Sequence, residues 1–325
     1  VQDLINIIQP LFRLPEKTAS KASFGDMDLS VTYESSDAIL FGVPLELTTT
    51  FGKGTSKGPE AIRSTSAYQI ETYVFEEKVD LKKVINILDV GDFIIPKVSG
   101  NMDKVNFVLS YLDKYLPSLT KEISLHKKIP IVLGGEHTIS YFFLKGLIEE
   151  TPLLIHFDAH RDMKSEYGGR DLCHTTPFFR LIHEGYLQGR DIIQIGIRQA
   201  DEVEDNFAKD QGVTTFDAWD LKENTQHFIT KLSQMTRDRN IYVSFDIDVY
   251  DIPFVPCTGT PEPFGLDPFT ILKIIDAIHY SANLIGMDMV EVSLKNNDFR
   301  EGTLATQTLL RILTRKFVRK NILHQ

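Results

Sequence analysis

Cysteine is scarce in this 325-residue chain, which has only Cys173 and Cys257. That is too few for a disulfide framework and fits a reducing, cytoplasmic setting. Long apolar runs are missing too, so no stretch is suited to span a bilayer. The opening residues carry Asp3, lack a basic leader and meet Pro10 soon after a short apolar patch, unlike a signal peptide. Basic charge is the minority, with 35 Lys and Arg against 45 Asp and Glu, and the formal charge of -10 argues against a nucleic-acid surface. Repeats, low-complexity tracts and Pro/Ser-rich linkers are absent as well, so nothing marks a domain boundary. What is present, 42% hydrophobic and 25% charged residues, is ample for a large core.

The apolar pattern alternates between two periods. Short buried-strand runs are expected over 38–43, 84–90, 130–133, 152–157, 191–197, 241–247 and 284–292. Helical spacing is expected over 59–71, 102–126, 141–149, 177–184, 221–235, 268–280 and 303–318. Such alternation predicts an α/β fold with a mainly parallel sheet and helices on both faces. Residues 1–37 read as a peripheral wrapping segment of a single domain. The loop over 48–59 is dense in Thr, Gly and Lys, but Gly52-Lys53-Gly54-Thr55 lacks the spacing of a phosphate-binding loop.

The chemistry gathers at strand ends, where ligands collect in parallel α/β folds. One run ends in His156-Phe157-Asp158-Ala159-His160-Arg161-Asp162. Side chains two apart on a strand face the same way, so Asp158 and His160 are expected to converge, with Asp162 closing from the loop. Taken alone, this stretch equally suits a satisfied polar strand end. A second run ends in Gly134-Gly135-Glu136-His137 and a third in Asp246-Ile247-Asp248, ahead of a proline-studded loop that suits a pocket wall. A fourth delivers Glu291. The candidate ligands are His137, Asp158, His160, Asp162, Asp246 and Asp248. They exceed what one small cation needs, and carboxylates so crowded would repel without cations. Two divalent ions resolve both problems, and oxygen-rich ligation with some imidazole favours Mn²⁺ over Zn²⁺. A pair about 3.5–4 Å apart would hold a shared water and lower its pKa.

Three of these stretches, Gly134 to His137, Phe157 to Asp162 and Ser244 to Asp248, resemble the metal signatures of the ureohydrolases, the arginase and agmatinase family. Thr258-Gly259-Thr260-Pro261-Glu262-Pro263 resembles the agmatinase form of the third signature, and Gly58-Pro59-Glu60-Ala61-Ile62-Arg63 the family's N-terminal part. The resemblance implies a three-layer α/β/α catalytic domain over 1–325, two Mn²⁺ ions and hydrolysis of a guanidino compound to urea and an amine by a metal-bridging hydroxide. By position, His137, Asp158, Asp162 and Asp246 would bind one ion, and Asp158, His160, Asp246 and Asp248 the other. Asp162 would also orient the hydroxide. Glu291 would pair with the guanidinium, and His174 would contact the substrate and carry a proton to the departing amine. The family also implies homo-trimers or hexamers.

Between Asp162 and His174 the Ser/Asn segment with which arginases grip the amino-acid end is missing. Agmatine, hydrolysed to putrescine and urea, is therefore the expected substrate. Arg161 or Arg170 would instead suit a carboxylate, as in guanidinobutyrate, and arginine and formiminoglutamate are siblings. The single-zinc deacetylases of the same fold type keep only part of this ligand set. A catalytically silent relative would have lost ligands, and none is missing here. The agmatinase pattern is broken at Thr175, Ile252, Cys257, Phe264 and Ser293-Leu294, with Cys257 expected to be a buried small residue.

Overall fold

A computed structural model describes residues 11–13, 23–26, 30–97 and 103–317. Its strands are β1 (Phe12–Arg13), β2 (Ala38–Val43), β3 (Tyr73–Val74), β4 (Val79–Asp80), β5 (Ile87–Phe93), β6 (Ile129–Gly134), β7 (Leu153–Phe157), β8 (Ile192–Ile197), β9 (Thr214–Asp217), β10 (Asn240–Asp246) and β11 (Asn283–Val290). The helices are α1 (Gly58–Tyr68), α2 (Lys104–Leu125), α3 (Ile139–Gly146), α4 (Pro177–His183), α5 (Glu202–Asp210), α6 (Ala218–Thr236), α7 (Pro268–Ala277) and α8 (Arg300–Phe317). A nine-stranded sheet runs in the order β1-β5-β2-β6-β11-β10-β7-β8-β9, and β3 pairs with β4 apart from it. All its pairings are parallel except that of the edge strand β1 with β5.

Alternation along each strand builds two cores. Leu40, Ile131, Ile155, Val243 and Met287 point to one face and pack under α1, α6, α7 and α8. Ile39, Phe41, Val132, Leu154 and Tyr242 point to the other, under α2, α3 and α4. Burial on both faces explains why these strands read as near-continuous apolar runs. The mainly parallel sheet between two helical layers matches the expected α/β/α arrangement.

Several helices start where a side chain satisfies their free N–H groups. Asp103 accepts from Val105 and Asn106 ahead of α2, and Asp267 from Phe269 and Thr270 ahead of α7. Each such cap is worth about 1 kcal/mol. The strand expected over 84–90 lies three residues later, as β5, because Asp80 caps a single 3₁₀ turn, Leu81–Lys83, and the N–H groups of Val84 and Ile85 still bond back to Leu81 O. The helix expected over 141–149 gives way after Gly146, where a Cβ would lie 2.5 Å from the Pro117 carbonyl. Helix α5 and strand β9 were not expected. The first is short and acidic, and the second is a four-residue edge strand beginning Thr214-Thr215.

Candidate metal centre

Four adjacent strands in the middle of the sheet, β6, β11, β10 and β7, end at the same place. After β6 the chain turns sharply at Gly135, where a Cβ would lie 1.9 Å from the Leu45 carbonyl, so only glycine fits. The turn is pinned from both sides, by Gly135 N–H to Val43 O at 2.9 Å and by Glu291 N–H to Gly135 O at 2.9 Å. It delivers His137 into the core. Strand β7 ends at Phe157 and β10 at Asp246. The pairs 158/160 and 246/248 therefore do not converge by strand alternation as expected. Asp158 and His160 lie in the loop after β7, where His160 N–H caps Asp158 Oδ1 at 2.5 Å. Asp248 lies in a 3₁₀ turn, with its N–H on Asp246 Oδ1 at 2.9 Å.

His137 Nδ1 is faced by three carboxylate oxygens, from Asp162 at 2.9 Å, Asp158 at 3.1 Å and Asp246 at 3.2 Å. It is nevertheless a buried nitrogen with no hydrogen-bond partner. Its other ring nitrogen, Nε2, lies 3.0 Å from Ser244 Oγ, which donates in turn to Asp288. Nε2 therefore carries the proton, and the Nδ1 lone pair points into a ring of oxygens. Such a set fits a divalent cation, which would take the lone pair and neutralise the carboxylates. A second trio, Asp158, His160 and Asp248, brings its ligand atoms within 4.8 Å of one another. Asp158 faces both groups, Oδ2 toward His137 and Oδ1 toward His160. His156 is also within reach, but its Nε2 donates to Asp158 Oδ2 at 2.8 Å while Nδ1 accepts from Gln194. Both its nitrogens are spent, so it orients Asp158.

The electrostatics reflect this crowding. Burial, then the neighbouring Asp158 charge, pushes Asp162 up to about 7. Burial, then Asp248 and Asp158, holds Asp246 well above the usual carboxylate range. Burial opposes charge on His137, but the facing carboxylates outweigh it and raise its pKa, which marks Nδ1 as a position that holds either a proton or a cation.

Glu291 is buried, and its Oε1 accepts the His137 N–H at 2.9 Å. Burial pushes its pKa well up. Asp162 and Glu291 both hold positive φ, 52° and 58°, a costly region for residues with a Cβ that concentrates at functional sites. His174 is also buried, with Thr48 beside it and the Tyr167 ring edge-on at 6.1 Å. Burial, chiefly, lowers its pKa.

Arg161 does not face the site. It is buried and bonded to Gln194 at 2.7 Å, Thr215 at 2.9 Å and Asp205 at 2.5 Å. Cys257 is half-buried rather than buried. Phe264, where the family pattern has glycine, combines φ 64° with 73% exposure. Sequence reading passed over Ser244, Asp288, Gln194 and Thr48. Asp288 had a signal: a charge inside the apolar run Met287-Asp288-Met289 must be bonded to be tolerated.

A model described as "Arginase family" matches residues 36–313. The chain belongs to the arginase family. It is 34% identical over 265 residues to an agmatinase of Halalkalibacterium halodurans, covering 80% of this chain and 85% of that one. A guanidinobutyrase of Pseudomonas aeruginosa is 31% identical, with 79% of each chain covered. Among solved structures, the agmatine ureohydrolase of Thermoplasma volcanium superposes with a TM-score of 0.79 at 26% identity, covering 98% of this chain and all (100%) of that one. Family membership makes the protein a hydrolase of amidine carbon–nitrogen bonds, acting on a guanidino compound. Among the described residues no helix is long and apolar enough to cross a membrane.

Proposed function

We propose that this protein hydrolyses agmatine to putrescine and urea with two Mn²⁺ ions. His137, Asp158, Asp162 and Asp246 would hold one ion, and Asp158, His160, Asp246 and Asp248 the other. When bound, the ions would lower the pKa of a ligated water and so supply a nucleophile at neutral pH. The chain's own residues do the rest. Asp162 accepts a hydrogen bond from the attacking water. Glu291 pairs with the guanidinium and holds its carbon in line, which turns binding into orientation. His174 exchanges a proton with the departing amine.

The observation that carries this reading is Glu291. It is a buried carboxylate beside the ligand cluster, and no lysine or arginine pairs with it among the described residues. Such a group is costly unless a cation arrives to meet it, and a guanidinium is planar, permanently charged and shaped for a carboxylate.

A cavity of about 240 Å³ supports an amine-tailed substrate. It opens beside His160 and Asp162 and is walled by Lys164, Thr175, Asp201 and Glu204. Lys164 is paired with Asp201 and lies 3.4 Å from Glu204. One ammonium against two carboxylates leaves the wall negative, which favours the ammonium end of agmatine. A second reading, an ω-guanidino acid, draws on the same Lys164, which could turn to a carboxylate tail. The deciding experiment offers Mn²⁺-loaded protein agmatine, arginine, guanidinobutyrate and formiminoglutamate separately and follows urea (formamide for the last). Preference for agmatine is expected. Preference for guanidinobutyrate would overturn the substrate, and no product from any would overturn the reading.

A further inference from the structure

Thr48 Oγ1 has four polar neighbours and one hydrogen to give. It lies 2.8 Å from Glu136 Oε1, 3.2 Å from His174 Nδ1 and 3.4 Å from Thr138 Oγ1, and it accepts the His174 backbone N–H at 3.0 Å. The Glu136 carboxylate is buried and works purely as an acceptor. Leu47 N–H and Thr48 N–H reach Oε2 at 2.6 and 2.7 Å, while the Thr48 and Thr138 hydroxyls reach Oε1, both at 2.8 Å. A carboxylate is the strongest acceptor within reach of the Thr48 hydroxyl and the shortest contact it makes, so that hydrogen goes to Glu136. Thr138 spends its own on the same oxygen. Thr48 Oγ1 is left with two lone pairs, one filled by the His174 backbone N–H. Among the described residues, only a hydrogen on His174 Nδ1 is placed to fill the other.

From this accounting we infer that Thr48, held by Glu136, fixes neutral His174 as the Nδ1–H tautomer and makes Nε2 the nitrogen that exchanges a proton with the substrate. The inference rests on His174 serving as the proton carrier of the proposed reaction. Thr48 and Glu136 are positioning residues that act through the ring. Thr48 lies on the loop after β2 and Glu136 on the turn after β6, so two neighbouring strand ends set one imidazole. When Nε2 takes a proton, Nδ1–H stays on Thr48 and the ring keeps its place. When it gives the proton to the departing amine, the same tautomer is restored. The wrong tautomer would present an N–H where a lone pair is needed, a fault that disables an otherwise intact catalytic histidine.

The experiment compares Thr48→Val, close in shape but without the hydroxyl, and Thr48→Ser, which keeps it, with the parent. The tautomer is read from the ¹⁵N shifts of the His174 ring nitrogens in the full chain prepared without paramagnetic ions, assigned through His174→Asn. Parent and Thr48→Ser are expected to show protonated Nδ1 and bare Nε2, and Thr48→Val to lose that pattern. In Mn²⁺-loaded protein, Thr48→Val is expected to lower kcat roughly 10- to 100-fold with KM little changed, and Thr48→Ser to restore it. Bare Nδ1 in the parent would overturn the inference, as would a Thr48→Val protein that keeps both the parent's tautomer and its kcat. The spectrum decides even if no guanidino compound turns over, in which case the proposed function falls and the tautomer assignment stands or falls on its own.

Discussion

His137 Nε2 sits 3.0 Å from Ser244 Oγ, and Ser244 spends its hydrogen on Asp288 Oδ1 at 2.8 Å. Tyr242 O–H holds the other Asp288 oxygen at 2.7 Å. One buried carboxylate thus orients the imidazole whose lone pair faces the three aspartates. Removing the partner of a ligating histidine costs about 10- to 100-fold in metal affinity. Ser244→Ala is expected to weaken Mn²⁺ binding by that factor, measured by competition with a fluorescent chelator. Unchanged affinity would reduce Ser244 to a packing residue.

Gly259 guards Glu291. A Cβ there would lie 2.8 Å from Glu291 Oε2. Gly259→Ala is expected to displace the carboxylate and lower kcat/KM roughly 100-fold, since a misplacement of about 1 Å costs that much. Its melting temperature should move little, and steady-state kinetics beside a thermal melt would show whether the two effects separate.

Arg161 is a structural residue. Arg161→Ala removes one partner each from Asp205, Gln194 and Thr215, while Lys209 still pairs with Asp205. The Asp205 side chain is 33% exposed and keeps Lys209, so the loss should stay below that of a fully buried broken pair, about 2 kcal/mol. Denaturant unfolding reads that loss. The ratio of agmatine to guanidinobutyrate turnover is expected to stay as in the parent, and a changed ratio would bring Arg161 back as a substrate contact.

Glu301 supplies a pH dependence. It is 2% exposed and accepts N–H bonds from Cys257 at 2.5 Å and Ser293 at 3.2 Å. Burial still raises its pKa from 4.5 to about 7. Between those values the folded chain keeps a proton that the unfolded chain has lost, so this group's contribution to stability declines as pH rises from 4.5 to about 7. The full effect is on the order of 3 kcal/mol. Glu301→Gln is expected to remove it. Unfolding free energies of parent and variant, compared at pH values below and above that window, should differ by a changing amount, and a constant gap would refute the assignment.

Much of this was legible because parallel strands buried on both faces must be apolar until they end. The first polar residues after Leu133, Phe157 and Phe245 thus marked the site. What the sequence could not show was how those residues meet. Asp158 with His160, and Asp246 with Asp248, looked like strand neighbours, but a loop and a 3₁₀ turn bring them together. Local spacing is compatible with either. The supporting shell was harder still. Thr48 and His174 are 126 residues apart, and Ser244 and Asp288 are 44 apart. Their pairing is set by which strands are neighbours. Arg161 lay inside a recognisable motif yet turned away from the site, because Asp205, on a helix that apolar periodicity did not mark, was there to receive it.

Strand β11 has a consequence for biosynthesis. It is the last strand among the described residues, yet it lies between β6 and β10, both made earlier. Until Asn283–Val290 has left the ribosome, β6 and β10 lack the strand that pairs with their inner edges. Unpaired parallel edges are slow to close and prone to wrong partners. His137 follows β6, while Asp158, Asp162 and Asp246 lie at the ends of β7 and β10, so the two halves of the cation site are joined only once β11 has emerged.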